Sequence, residues 1–249
     1  MNRGGLLKPN RDLKGKVAVI TGGASAIGRT LALRAADAGM NVALADTDER
    51  LLAVAVEQVR AKHVQAITVT TDVSDADSVR TLARRAKAEL GPPWLVCSNP
   101  GVTKPKQDRK LTPEKLKTVV QTNLWNVING VQVFVPEMVE RNAGHIVNIA
   151  SAELLGVLGE ALCVAITHAI VGLSESLYRE LDSLGSQVGV TVVCPALQNT
   201  NVTTAASGRL RPDSAEPARN SVRHVPHDVA LNVFSPDELA DEIFAALTD

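Results

Sequence analysis

The stretch Thr21-Gly22-Gly23-Ala24-Ser25-Ala26-Ile27-Gly28 decides the fold, because it joins a short apolar run to a longer segment of helix-forming residues. Glycines between a strand and a helix let the backbone approach a pyrophosphate, which the helix amides and the helix dipole then hold. A Gly-rich turn alone is a weak signal, since such turns are common. The sequence on either side of this one predicts the first strand-turn-helix unit of a nucleotide-binding fold.

Short β-branched runs alternate with longer amphipathic segments along the rest of the chain. The strand-like runs are Lys16 to Thr21, Asn41 to Asp46, Gln65 to Thr71, Trp94 to Ser98, His145 to Ala150 and Val188 to Cys194. The helical segments include Asp48 to Ala61, Asp75 to Leu90, Glu160 to Leu184 and a final helix, Pro236 to Leu247, preceded by the capping residue Ser235. This alternation predicts an α/β fold with a Rossmann-type, doubly wound parallel β-sheet and helices on both faces.

Length and composition fit one domain. The chain has 249 residues, of which 45% are hydrophobic, so a single domain covering residues 1–249 is expected, with an irregular lid at about 199–232. The net charge of −1 gives no global field toward nucleic acid or an anionic membrane. We identify no leader and no stretch that approaches a membrane span, so we expect a cytoplasmic protein. Cys97, Cys163 and Cys194 are widely spaced, which favours free buried thiols and no metal site.

Polar residues stand where the predicted strands end. Asp46 ends the second strand, Asp72 and Val73 follow the third, and Asn99 with Gly101 follows the fourth. The carboxyl ends of parallel strands are where open sheets bind ligands. An acidic side chain at Asp46 can accept hydrogen bonds from both ribose hydroxyls and repel a 2′-phosphate, which favours NAD. The alternative for Asp46 is a simple turn residue or helix cap.

With these motifs, the chain resembles the short-chain dehydrogenase/reductase family over essentially its whole length. The matching positions are residues 21–28 for the glycine motif, Asp72, Asn99 with Gly101, Asn123, Ser151, Pro195 and Thr200. The resemblance implies NAD as cofactor, held by Gly22, Ser25, Ile27, Gly28, Asp46, Asp72, Val73, Asn99, Gly101 and Thr200. It also implies that Asn123 and Ser151 are what remains of the family's catalytic relay.

The family's catalytic Tyr and Lys are missing. In the family, the Tyr transfers a proton while hydride moves to or from nicotinamide, and a Lys four residues later lowers the Tyr pKa and binds ribose. Counting onward from Ser151 puts Val164 at the Tyr position and His168 at the Lys position. Alignment on the following helix instead puts Cys163 and Thr167 there. We prefer the second alignment, because a loop loses a residue more easily than a helix rotates by about 100°.

Further departures surround the same cleft. Ala26 replaces a family glycine and would crowd the pyrophosphate, Pro100 removes a backbone donor, and Ala196 replaces the Gly of a P-G turn. Together they predict that NAD binding is possible but weakened or lost. Replacement of the relay by Cys163 or His168 stays open. No cation is expected beside the thiol to lower its pKa, and His168 is expected to face away from the site.

Two helices are apolar on nearly every side, which favours cover by a partner. One carries Ile170, Leu173 and Leu177, and the other carries Leu124, Trp125, Val127, Ile128, Val131, Val133, Phe134, Val135, Met138 and Val139. In the family these helices form a four-helix interface with a second subunit; burial within one domain is the alternative. The expected partner is a homologous subunit of the same family or a second copy of this chain, and neither nucleic acid nor membrane.

Three functions remain open from the sequence. The first is a non-catalytic subunit that pairs with an active NAD-dependent hydroxyacyl-type alcohol dehydrogenase. The second is an active NAD-dependent alcohol dehydrogenase or ketoreductase with an altered proton relay, and the third is a non-redox metabolite-binding protein. A ligand would be an acyl-CoA or a small alcohol or ketone. The predicted lid carries four arginines that could bind the phosphates of an acyl-CoA; the alternative is that they are simply solvent-exposed charges. They are Arg209, Arg211, Arg219 and Arg223.

Overall fold

Six short runs of buried residues form one parallel sheet in the order β3-β2-β1-β4-β5-β6. The structure, a computed structural model, describes residues 12–99, 112–150, 161–197 and 233–248. The strands are β1 Val17–Thr21, β2 Asn41–Asp46, β3 Ala66–Thr70, β4 Pro93–Ser98, β5 His145–Ile149 and β6 Gly189–Val193. A second, two-stranded parallel sheet pairs β7 Ala196–Leu197 with β8 Val233–Phe234. The order of the large sheet reverses between β1 and β4, and a crevice at that switch point is where such sheets bind ligands.

Helices connect the strands, and side chains close several of their first turns. The helices are α1 Ala26–Asp37, α2 Glu49–Arg60, α3 Ala76–Leu90, α4 Pro113–Val120, α5 Asn126–Glu140, α6 Ala161–Ser183 and α7 Pro236–Thr248. Ser25, Asp48, Asp75 and Thr112 each accept a hydrogen bond from a backbone amide of the helix that follows. Between α4 and α5 the helix widens into a π-helical turn, Gln121–Trp125.

Hydrophobic layers cover both faces of the large sheet. On one face, α1, α2 and α7 contribute buried side chains such as Leu31, Leu52 and Ile243. On the other face, α3, α5 and α6 contribute side chains such as Leu82 and Met138. Strands covered on both faces carry nearly continuous apolar runs, which is the pattern in this sequence. The predicted doubly wound parallel sheet is therefore confirmed.

The predicted element boundaries agree with the structure to within one residue. The small differences arise where a capping residue or a strand end was counted as part of the element, as at Asp48 and Asp75. The proposed lid, about 199–232, lies outside the described residues. The extent of the single domain therefore stays a prediction from the sequence.

One helix differs from the sequence expectation of a segment that is apolar on nearly every side. The structure turns Asn126 and Asn129 inward, each 2% exposed, and leaves Trp125 44% exposed. The inner face of α5 is therefore polar at its start, and cover of this helix by a partner stays a prediction. Asn126 Oδ1 and Asn129 Nδ2 each have a hydrogen-bond partner at a distant strand end, which offsets part of the cost of burial, while Asn126 Nδ2 has none among the described residues.

Within the described part of the chain, α6 is long and apolar enough to cross a membrane by length and composition alone. The sequence analysis did not expect any such stretch. About 33% of its apolar window is buried. Ser174, on its buried face, accepts a hydrogen bond from Asn148 Nδ2 of β5 at 2.9 Å. Core helices share this composition with membrane spans, so composition alone does not separate the two.

The first turn of α7 is closed by reciprocal hydrogen bonds, as the sequence predicts. Ser235 donates its backbone N–H and its hydroxyl to Glu238 Oε2 at 2.8 and 2.9 Å, and Glu238 N–H donates to Ser235 Oγ at 3.3 Å. The backbone bond, followed by the side-chain bond, lowers the pKa of the Glu238 carboxyl. Their stabilisation is therefore complete above the carboxyl's ordinary pKa and is lost as pH falls through the lowered one.

We expect Ser235→Ala to lower the free energy of unfolding by about 1 kcal/mol at neutral pH, because the cap is lost. Glu238→Gln should flatten the fall in stability at acid pH. Urea denaturation at several pH values measures both effects. Glu242→Gln, which removes an exposed carboxylate further along α7, is the control. A control that loses as much as the two capping variants would contradict the assignment.

Candidate functional site

The turn at residues 22–28 is packed so closely that two positions require glycine. Gly22 has a φ of +61°, and a Cβ there would lie 2.5 Å from the Asn99 carbonyl oxygen. A Cβ on Gly28 would lie 2.0 Å from the Gly22 carbonyl oxygen. The first turn of α1 therefore lies directly against the end of β1, and the end of β4 lies beside it. This close packing of the turn against the chain's own backbone explains why both positions are glycine.

Ser25 and Asn99 hold this turn in shape. Ser25 Oγ donates to the Gly22 carbonyl at 2.7 Å and accepts from Gly28 N–H at 3.1 Å, which caps α1. Asn99 is 3% exposed; it donates Nδ2–H to Ser25 Oγ at 3.1 Å and its backbone N–H to Thr21 Oγ1 at 3.0 Å. The predicted residues Gly22, Ser25, Gly28 and Asn99 thus form one hydrogen-bonded unit between β1 and β4.

Asp46, at the end of β2, accepts hydrogen bonds from three backbone amides. Its Oδ2 accepts from Ala24 N–H at 3.1 Å, and its Oδ1 accepts from Thr47 and Asp48 N–H at 2.8 and 3.2 Å. The bond to Ala24 draws the carboxylate to the rim of the glycine turn. Asp48, and not Asp46, caps α2. The sequence offered Asp46 as a ribose-binding carboxylate or as a simple turn residue or helix cap. The structure places Asp46 beside the glycine turn, where it also orders the turn after β2, and it does not cap the helix.

Asp72 and Val73 lie beyond β3 at the same edge of the sheet. Asp72 is exposed, and its Oδ1 accepts from Ser74 N–H at 2.9 Å and from the Ser74 hydroxyl at 2.7 Å. That carboxylate therefore orders the turn into α3. Val73 is half-buried, and its carbonyl accepts from Asn129 Nδ2 at 2.9 Å. Ile27, within the glycine turn at the start of α1, packs its side chain against the core.

Asn123 lies in the π-helical turn between α4 and α5. It is 8% exposed, and its Nδ2 donates to the Val119 carbonyl at 2.8 Å. Such turns interrupt the regular helical hydrogen bonds and are frequent at functional sites. The amide nitrogen of Asn123 is thus occupied in supporting the interruption of the helix.

The buried face of α6 carries Cys163 and Thr167, which are 9% and 2% exposed. Residues four apart lie on the same face of a helix. Val164 is half-buried, and His168 is exposed, with its Nδ1 2.8 Å from the Val164 carbonyl oxygen. His168 therefore faces outward, as expected. The inward-facing pair consists of a thiol and a hydroxyl.

Cys97, Cys163 and Cys194 are buried and form no disulfide, as predicted. Burial raises the pKa of Cys97 and of Cys194 to about 12. Both thiols are therefore protonated at neutral pH, and neither is a nucleophile or a base there. In the part of the chain that the structure describes, no group of three His, Cys, Asp or Glu side chains is placed to hold a metal ion.

Several predicted positions lie outside the described residues. They are Pro100, Gly101, Ser151, Thr200 and the four lid arginines. The described part covers the glycine turn, the ends of β2, β3 and β4, and the helices α5 and α6. The structure brings together the residues at the strand ends, while the assignments of Gly101, Ser151 and Thr200 rest on the sequence alone.

Two asparagines that were not predicted from the sequence also contact the site. Asn126 Oδ1 accepts a hydrogen bond from Thr21 Oγ1 at 3.3 Å, at the end of β1. Asn129 donates to Val73 beyond β3. Together with Asn123, these residues recur at intervals of three, which places them close to one face of the helix. That spacing was the available signal in the sequence.

Comparison with known families decides what kind of site this is. The sequence profile described as short chain dehydrogenase matches residues 16–210. The chain belongs to the short-chain dehydrogenase family. The match begins immediately before β1 and runs past β7, so it spans all six strands of the large sheet.

Two named relatives of this short-chain dehydrogenase are bacterial. A 3-oxoacyl-[acyl-carrier-protein] reductase, FabG, of Staphylococcus aureus is 33% identical over 199 residues, which are 79% of this chain and 80% of the relative. A protein of Mycobacterium tuberculosis named as the oxidoreductase EphD is 32% identical over 231 residues, which are 92% of this chain. The match spans only 38% of that mycobacterial protein.

Solved structures give the same family. A short-chain dehydrogenase/reductase from Burkholderia phymatum, in complex with NAD, superposes with a TM-score of 0.80 at 34% identity, covering 95% of this chain and 87% of the other. A short-chain alcohol dehydrogenase from Sinorhizobium meliloti gives a TM-score of 0.73 at 25% identity, covering 78% and 77%. The fold is therefore the oxidoreductase scaffold of this family, and the first of these neighbours binds NAD.

Proposed function

We propose that this short-chain dehydrogenase is a non-catalytic subunit that pairs with an active, NAD-dependent hydroxyacyl-type alcohol dehydrogenase of the same family. The observation that supports the proposal most is the buried face of α6, which carries Cys163 and Thr167 four residues apart. The family's relay needs a phenol that exchanges a proton and a cation that lowers the pKa of the phenol. A buried thiol and a buried hydroxyl supply neither, so the chain lacks the acid-base step.

NAD fits the glycine turn, and we propose that it binds weakly. The turn follows the carboxyl end of β1 and opens α1, which is the position where the helix amides of such folds hold a pyrophosphate. Asp46 would accept hydrogen bonds from the ribose hydroxyls. Ala26, exposed at the start of α1, adds a methyl group where the phosphate would approach and so weakens binding. The proposed nucleotide-binding set is Gly22, Ser25, Ile27, Gly28, Asp46, Asp72, Val73, Asn99, Gly101 and Thr200.

The residues left in the cleft would position ligands without moving protons. When bound, NAD supplies the capacity to accept or donate hydride. Ser151 would donate a hydrogen bond to a substrate oxygen, and Asn123 supports the π-helical turn through Val119. Loss of general acid-base catalysis typically costs about 10² to 10⁴ in rate. The isolated chain is therefore proposed to be inactive or very slow.

Pairing is proposed to involve α4, α5 and α6. Leu116 on α4 and Trp125 at the start of α5 are 45% and 44% exposed. An exposed tryptophan is a strong candidate for an interface residue, because aromatic side chains carry much of the energy of protein association. The proposed partner is a homologous dehydrogenase subunit, with a second copy of this chain as the alternative. We expect the assembly in the cytoplasm, acting on an acyl-CoA or a small alcohol or ketone.

We expect Trp125→Glu to weaken pairing by roughly thirtyfold or more, because losing a central interface aromatic costs about 2 kcal/mol. Sedimentation over a range of protein concentrations measures the dissociation constant of the assembly for the wild type and the variant. Leu51→Glu, which adds the same charge at a position on α2 that is 51% exposed, is the control. An unchanged dissociation constant for Trp125→Glu, or an equal change in the control, would contradict the proposed surface.

The second candidate function is an active NAD-dependent alcohol dehydrogenase or ketoreductase with an altered relay. The bonds among Gly22, Ser25 and Asn99 favour it, because they keep the nucleotide turn in shape although the relay has changed. On this reading, the thiol of Cys163 replaces the family's proton donor, since His168 faces outward.

Pull-down of the native protein from the cells that produce it, followed by mass spectrometry, distinguishes the two candidates. Calorimetric titration of the isolated chain with NAD accompanies it. A stoichiometric short-chain dehydrogenase partner, with NAD binding by this chain that is measurable but weaker than micromolar, is the expected result. A homo-oligomer that binds NAD at micromolar concentration and turns substrate over would contradict the proposal and support the second candidate.

A further inference from the structure

Two buried asparagines of α5 face the nucleotide end of the large sheet. Asn126 and Asn129 are each 2% exposed and lie three residues apart on one side of the helix. Asn126 Oδ1 accepts from Thr21 Oγ1 at 3.3 Å, at the end of β1, and Asn129 Nδ2 donates to the Val73 carbonyl at 2.9 Å, beyond β3. One side of one helix thus contacts two of the chain segments that form the proposed nucleotide site.

The Asn129 bond is the only described hydrogen bond that ties Asp72 and Val73 to a distant part of the chain. The others are local: Asp72 N–H donates to Ser78 Oγ at 3.0 Å, and Asp72 Oδ1 accepts from Ser74 N–H at 2.9 Å. Local bonds fix the shape of the turn but not its placement against the rest of the sheet. Without Asn129, the half-buried Val73 carbonyl would lose its partner, which is unfavourable for a buried polar group.

We propose that Asn129 is a positioning residue of the adenine end of the nucleotide site. By anchoring the Val73 carbonyl to α5, it sets the direction of the backbone groups of Asp72 and Val73 that would face an adenine base. The ligand class is an adenine nucleotide. This inference rests on the nucleotide-binding part of the proposed function and is independent of the loss of the relay.

Asn129→Ala and Asn129→Leu test the inference, because both remove the donor and are compatible with a helix. We expect the Kd for AMP to rise about tenfold in both, which is the scale of one lost hydrogen bond. Calorimetric titration of the full chain with AMP measures it. The isosteric Leu fills the space of the amide, so it separates the hydrogen bond from the loss of packing.

Ser174→Ala is the matched control. Ser174 is also 2% exposed; its Oγ accepts from Asn148 Nδ2 at 2.9 Å and donates to the Ile170 carbonyl at 2.8 Å. The variant therefore loses comparable buried hydrogen bonds on α6, away from the adenine end. Its thermal midpoint should fall as those of the Asn129 variants do, while its affinity for AMP stays at the wild-type value.

The outcomes separate the two proposals. Unchanged AMP affinity in a folded Asn129 variant overturns the role of Asn129 and leaves nucleotide binding standing, and so does equal weakening in Ser174→Ala. No AMP binding by the wild-type chain overturns this inference together with the proposed NAD site. Should both Asn129 variants fail to fold, amide hydrogen exchange at residues 71–78 of the wild type decides. Slower exchange at saturating AMP supports the inference, and unchanged exchange overturns it.

Discussion

Gly28→Ala is expected to unfold at a markedly lower urea concentration than the wild-type chain, with a loss of about 3 kcal/mol, the upper end of the usual cost of overpacking. The new Cβ would lie 2.0 Å from the Gly22 carbonyl oxygen and 2.7 Å from its carbonyl carbon. Both are backbone atoms, so no change of rotamer relieves the contact and the turn or α1 must move. Typical domains have only about 5–15 kcal/mol of stability, so the effect is large.

Gly172, on the exposed side of α6, supplies the matched control. A Cβ built there meets no atom within 4 Å. Alanine has the higher helix propensity, so Gly172→Ala should raise stability by up to about 1 kcal/mol. If the free energy of unfolding falls for Gly28→Ala and rises for Gly172→Ala, the effect at Gly28 comes from the packing of the turn and not from helix propensity. Equal urea midpoints for the two variants would contradict the close packing of the turn.

The regular elements could be predicted because each is specified locally. Buried parallel strands appear as short apolar runs, as in β1, and side chains such as Asp48 and Asp75 define where helices begin. The positions of Asn99 and the glycine turn at the strand ends could also be predicted, because both directly follow predicted strands. These features depend on neighbouring residues or on the order of the strands, and both can be inferred from the sequence.

The break between α4 and α5 and the inward asparagines were not predictable in the same way. Nothing local stops the helix at Gln121, and the π-helical turn emerges from packing. Thr21 and Val73 provide the hydrogen-bond partners of the buried Asn126 Oδ1 and Asn129 Nδ2, and these partners are more than fifty residues away in the sequence. Patterns of apolar residues show which face is buried only when burial is driven by apolar contact.

The relay position shows a second kind of limit. From the sequence, either Cys163 with Thr167 or Val164 with His168 could stand where the family has its Tyr and Lys. The structure places the first pair on the buried face and leaves His168 exposed. Which pair faces inward depends on the rotation of α6 about its own axis, and contacts with the sheet set that rotation. It supports the assignment that we propose for Cys163 and Thr167.

The isolated chain is expected to catalyse NAD-dependent oxidation or reduction at least about 10²-fold more slowly than a relative that retains the Tyr and Lys. Thr167 carries no charge, and His168 faces outward with its Nδ1 at the Val164 carbonyl. Absorbance of NADH with secondary alcohols, ketones and 3-oxoacyl thioesters measures the rate. A member of the same family that has both residues and uses NAD is the reference protein. A rate within tenfold of the reference would contradict the proposed non-catalytic role.

Cys163→Ser distinguishes an absent relay from an altered one. If the thiol replaces the phenol, this variant should lose at least about tenfold of any residual rate, because a serine hydroxyl is a much weaker acid than a thiol. Cys194→Ser is the control, since the pKa of that buried thiol is about 12 and it takes no part at neutral pH. A residual rate that is insensitive to both substitutions leaves Cys163 with a packing role only. Catalysis by the proposed complex would then depend on the relay of the active partner subunit alone.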